Sequence, residues 1–155
     1  DVQREIKKMS SINLKVVNKR QFDERLKKQS NDIQKEMIKT VNLAVNEVRN
    51  IAVRSILQNA RTGGVVTRYN PKRTISVSKE GGPPASDTGF LASNIASKID
   101  ANKLGGEVIS NADYSEALEF GTINMGARPF MQPAAEVVRK KYKLDSQRAI
   151  KKGLK

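Results

Sequence analysis

The feature that most limits the fold is one long helical stripe. Phe22, Leu26, Ile33, Met37, Val41, Ala44, Val48, Ile51 and Ser55 follow one another in steps of three and four, with a single step of seven that passes over polar Gln29. That spacing returns to one side of a 3.6-residue helix and matches neither face of a strand. Asn18 and Gln21 offer a capping box at the start, and Thr62-Gly63-Gly64 ends the run, so the helix is predicted from about Asn18 to Ala60. Ile38, Val45, Ala52, Val53 and Ile56 widen the apolar face in the second half, which predicts deeper burial there. Some forty residues at 1.5 Å each reach about 60 Å, more than the width of a compact domain of this size. The helix must therefore kink, near Ser30-Asn31, or project and pack on a neighbouring subunit. A coiled-coil zipper would need e/g charge alternation that this stretch does not show.

Around that spine the chain reads as short elements. Ile12, Leu14 and Val16 alternate with Asn13 and Lys15, the period of a half-buried strand. Val65-Val66-Thr67 and Thr74 to Ser78 predict two more strands about an Asn70-Pro71 turn. Lys79 to Asp87 carries Gly81-Gly82-Pro83-Pro84 and is predicted as an exposed loop. Asp87 or Thr88 can cap a short helix bearing Phe90, Leu91 and Ile95, and Ala96–Asn102 with Gly106–Ser110 predicts a hairpin. Tyr114, Ala117 and Leu118 mark a helical turn stopped at Gly121. Arg128 is held extended by the following proline, and Pro129 opens a last helix to about Lys152. Its apolar stripe, Phe130, Ala134 and Val137/Val138, fades into Arg139, Lys140, Lys141, Lys143, Arg148, Lys151 and Lys152. The predicted class is α+β: a long N-terminal helix and a C-terminal helix packed on a small, mostly antiparallel sheet, in a single domain over 1–155.

Chemistry is limited by two absences. Without cysteine there are no disulfides, thiolate metal sites or thiol nucleophiles, and without histidine no Ser-His-Asp triad or usual zinc set. Asp113, Glu116 and Glu119, three apart, share a helical face and are read as a solvated acidic face that pairs with Arg or Lys of a neighbour, in preference to a cation site. Gly63-Gly64 and Gly81-Gly82 lack the spacing of phosphate-binding loops. Tyr69, Tyr114 and Tyr142 are too scattered to stack bases. The expectation is a protein that is not an enzyme and needs no cofactor or metal. No apolar run is long enough to span a membrane, and no signal-peptide pattern opens the sequence.

Net charge is +13, and it sits at the ends. Residues 1–28 carry nine basic and four acidic side chains, and residues 135–155 carry eight and two. Basic ends about a nearly neutral middle favour a polyanion, most simply nucleic acid, or else serve as solubilising termini.

Two blocks of sequence carry a resemblance. Tyr114-x-x-x-Leu118-Glu119-Phe120-Gly121-Thr122 followed by Ala127-Arg128-Pro129-Phe130-Met131-x-Pro133-Ala134 resembles the C-terminal signature of the tail-completion, or head–tail joining, proteins of long-tailed bacteriophages, the minor tail protein Z-like class. Upstream, Gly82-Pro83-Pro84 and then Thr88-Gly89-Phe90-Leu91 are similar to that family's preceding element. The match departs at Ala92, where a basic residue is usual. The resemblance implies a structural virion protein, made in the bacterial host cytoplasm, that completes the tail and joins it to the DNA-filled head as an oligomeric ring, six-fold to match the tail tube. It implies subunit or partner contacts through the motif residues, including an ion pair of Glu119 with Arg128 in the same or an adjacent subunit. The partners implied are other copies of the chain and the head-completion, tail-terminator and tail-tube proteins. The basic residues Arg139 to Lys152 would then contact phosphates of double-stranded DNA passing through the channel. The competing reading is a stand-alone, sequence-independent DNA-binding protein. A carboxylate-metal nuclease is a distant third.

Overall fold

The computed structural model describes residues 19–154. The predicted strand at Ile12–Val16 and the Asn18 cap lie outside them. In order, the elements are α1 (Lys19–Gln58), β1 (Val65–Tyr69), β2 (Lys72–Ser76), α2 (Phe90–Ser93), β3 (Ile95–Ile99), β4 (Gly106–Ser110), α3 (Ser115–Phe120) and α4 (Met131–Gly153). The class is α+β. Its strands form two separate antiparallel hairpins, β1–β2 and β3–β4, at the predicted turns.

The helix α1 is unbroken through Ser30-Asn31, so of the two outcomes expected for so long a helix it projects. Its burial is confined to the second half, at Val41, Val45, Ala52 and Ile56, as the wider apolar face there predicts. The helix α4 runs antiparallel along it. Lys141 pairs with Glu47 at 2.8 Å and Lys152 with Glu36 at 2.8 Å, a matched step of one residue for one along each helix. At Gly153 the helices come close, since a Cβ there would lie 2.6 Å from the Ile33 backbone, and beyond it the Gln29 amide donates to the Leu154 carbonyl at 3.4 Å. Residues 19–28 therefore overhang the end of α4, with Phe22 and Leu26 about half exposed.

The core lies at the other end of the pair. Ala52 and Ile56 of α1 meet Leu91 and Ala92 of α2, Ile95, Ala112, Phe130 and Ala134. The hairpin β3–β4 packs on α1, where the Arg49 guanidinium donates to the Ile95 carbonyl at 2.8 Å. By contrast β1–β2 is exposed on both faces, with Val65, Val66 and Tyr69 in solvent. Two hydrogen bonds between Gly63 or Gly64 and Val77 hold its base.

The predicted fading of the α4 stripe needs correction. Beyond Val138 the face toward α1 continues as half-buried Tyr142 and buried Ala149 and Gly153. Small residues let the helices approach closely, and the basic residues beside them reach across to glutamates. Glu36 accepts from both Lys152 and Lys39 at 2.8 Å, and these bonds hold its carboxyl at about 2 against an ordinary 4.5. A depressed carboxylate stabilises the fold fully above its unfolded value and loses that contribution as pH falls through the folded one. Stability of the wild type should therefore drop more steeply than that of Glu36→Gln between about pH 4.5 and 2. Urea midpoints for the two proteins should differ at pH 7 and converge near pH 2; parallel curves would count against the ion pair.

A rigid corner as candidate interface

The two sequence blocks, far apart along the chain, meet in space. The loop before α2 and the segment after α3 are tied by the Gly81 N–H donating to the Ala127 carbonyl at 2.9 Å. The Gly126 N–H donates to Glu80 Oε1 at 3.3 Å. The rings of Phe90 and Tyr114 lie 6.2 Å apart at 32°. A cleft of about 730 Å³ opens between these blocks and the β1–β2 hairpin, lined by Arg61, Arg68, Arg73, Asp87, Tyr114 and Arg128 among others. Asp87 holds Arg73 at 2.7 Å on its wall. Partial burial pushes the Tyr114 hydroxyl above its ordinary pKa, with Arg68 working against it.

Glu119 is the hinge pin of the corner. Its carboxylate accepts three backbone N–H groups at the start of α4: Phe130 at 2.8 Å, Met131 at 3.0 Å and Gln132 at 2.8 Å. Those donors have no partner inside the helix, and the positive end of the helix dipole faces the same oxygens. The expected Glu119–Arg128 ion pair within the chain is therefore wrong. Arg128 is buried, and its guanidinium donates instead to the carbonyls of Ser78 at 3.2 Å and Gly126 at 3.3 Å. Backbone donors are held in place by the helix, so they take the carboxylate ahead of a flexible guanidinium. Pro129 precedes the helix start, where it stiffens the entry and removes no needed donor.

Between these two anchors the chain makes a short projecting loop. Gly121 ends α3 at φ 78°, ψ 179°, a conformation that side-chain-bearing residues avoid. The Thr122 N–H donates to the Met125 carbonyl at 2.8 Å, Met125 returns the bond at 3.2 Å, and Thr122 Oγ1 accepts from Asn124. At the tip, Ile123 is 99% exposed and Phe120 beside it 73% exposed.

The predicted interface residues thus divide. Pro84, Leu91, Arg128 and Phe130 are buried and build the frame. Gly82, Pro83, Gly89, Glu119, Gly121 and Pro129 are half-buried at its joints, and Thr88, Tyr114, Phe120 and Thr122 are exposed on its edge. The Pro83 carbonyl accepts from Asn59, and Thr88 Oγ1 accepts from the Phe90 N–H at 3.3 Å. Sequence reasoning missed Ile123; its signal was an isoleucine inside a loop of small and polar residues. It also missed Ser78 and Glu80, whose roles exist only through the tertiary contact. Asp113, Glu116 and Glu119 do not converge, and no group of acidic side chains suited to a metal occurs among the described residues. No described helix is long and apolar enough to cross a membrane.

The basic residues of α4 divide as well. Lys141 is bound to Glu47, a contact that raises its pKa, Lys152 to Glu36, and Arg148 to Asp145 at 3.2 Å. Arg139, Lys140, Lys143 and Lys151 are exposed with no acidic partner among the described residues. Helical spacing sets Lys140, Lys143 and Lys151 in one outward stripe.

Compared with known families, residues 3–121 match the model described as "Bacteriophage HK97-gp10, putative tail-component". The chain belongs to this HK97-gp10-like family. Neither the curated proteins nor the solved structures gave a match. The matched span takes in α1, both hairpins, the Gly-Pro-Pro block and the corner as far as Gly121. As an HK97-gp10-like tail component the protein is a structural constituent of the phage virion, and its partners are other tail or neck proteins.

Proposed function

We propose that this HK97-gp10-like protein completes the phage tail and joins it to the DNA-filled head, as a six-fold ring of identical head-to-tail contacts and without a catalytic step. The observation that carries this reading is the corner. Both motif blocks are spent on making one stiff frame that holds large apolar side chains out into solvent, at Phe120 and Ile123. A monomer gains nothing from such exposure, whereas a subunit contact does. A ring needs two different faces on each copy, and the corner supplies one of them. Six copies would match the tail tube, with the Lys140, Lys143 and Lys151 stripe turned toward the DNA channel.

That stripe also supports the second reading, a stand-alone binder of double-stranded DNA. Electron microscopy of lysates from phage lacking the gene separates the two. Complete heads beside complete, unjoined tails are expected. Normal infectious particles would overturn the joining role, and tight, salt-sensitive binding of free duplex by the isolated protein would then bring the DNA binder forward.

A further inference from the structure

We infer that the Ile123 tip of one copy seats in an apolar groove between α1 and α4 of the next. This rests on the ring reading above and names its contact. The groove has a volume of about 620 Å³ and is lined by Val41, Val45, Val48, Leu104, Met131 and Val138 with their neighbours. Its lining reaches the start of α4 at Met131 and Gln132 but includes none of the tip residues Thr122 to Met125, so plug and socket are different surfaces of one molecule and their pairing is head-to-tail. The tip cannot fill its own socket, because its root is tied to Glu80 and Ser78 through Gly126 and Arg128.

Three features fit the two surfaces to each other. The tip residues, Thr122 to Met125, carry no charge, and neither do the six groove residues named above. The loop is already held in shape by the Thr122–Met125 bonds, so little freedom is lost on docking. The flanking charges are complementary. Asp113 and Glu116, exposed beside the corner, find no basic partner among the described residues, while Arg139 on the groove and exposed Lys103 next to Leu104 find no acidic one.

These 155 residues hold no cysteine, so any disulfide between two copies within them must join the introduced thiols. Phage assembled from a mixture of Ile123→Cys and Ala135→Cys copies, Ala135 being an exposed groove residue, should yield on mild oxidation a covalent dimer holding one of each. Its yield should exceed by about tenfold that of Ile123→Cys with Leu57→Cys, an exposed position outside the groove. In solution, Ile123→Asp should weaken self-association by about tenfold or more while leaving thermal unfolding unchanged, since the side chain is almost wholly in solvent. Rings that form but cross-link no better at Ala135 than at Leu57 would overturn the plug and socket and leave the ring standing. A protein that stays monomeric in the virion would overturn both.

Discussion

Replacing Glu119 with alanine should cost about 2–3 kcal/mol of folding stability, more than an ordinary surface change. The side chain accepts three backbone N–H groups at the start of α4, all within 3.0 Å. Loss of a helix cap alone costs about 1 kcal/mol, and bonds to a charged acceptor are worth more than neutral ones. The three are not additive, because water reaches part of the vacated space. For a chain near this length the melting temperature should fall by roughly 5–10 °C. Glu119→Gln keeps an oxygen acceptor but loses the charge facing the helix dipole, so about half the loss is expected. Urea or thermal unfolding of the three proteins tests this ranking. An alanine variant within about 0.5 kcal/mol of wild type would show that the cap does not hold the corner.

At Gly121 an added methyl meets two obstacles at once. The backbone there, φ 78° and ψ 179°, costs a side-chain-bearing residue about 1–3 kcal/mol. A Cβ would also stand 2.8 Å from the Met125 carbonyl oxygen and 2.9 Å from the Ala127 nitrogen, both backbone atoms that cannot swing aside. Gly121→Ala should therefore destabilise by about 2–4 kcal/mol and open the loop that carries Ile123. Gly64 is the control. A Cβ there meets nothing within 4 Å, so Gly64→Ala should stay within about 0.5 kcal/mol of wild type. If the loop presents a subunit contact, Gly121→Ala phage should also leave heads and tails unjoined at a temperature where the subunit is still folded. Equal unfolding midpoints for the two alanine variants would refute the strain.

Much of this architecture is legible in the sequence. The stripe from Phe22 to Ser55 sets a helix because only a 3.6-residue period brings those side chains to one side. Its wider second half foretold where burial would fall. Gly121, Pro129 and the Asn102–Gly106 turn marked element ends through local backbone rules, which need no knowledge of distant partners. The two motif blocks were visible as strings and carried the family resemblance.

What the string could not settle is which distant groups meet. The family resemblance implied an ion pair of Glu119 with Arg128, but within the chain the helix start lay closer to Glu119 and the Ser78 carbonyl closer to Arg128. The lysines of α4 read as free because a sequence does not show Glu36 and Glu47 across the interface. Ile123 gave no pattern, since a single exposed residue has no period. Local periodicity and backbone chemistry determined the elements; pairing between them was decided by packing, because a side chain bonds to the nearest unsatisfied partner in space, wherever that partner stands in the chain.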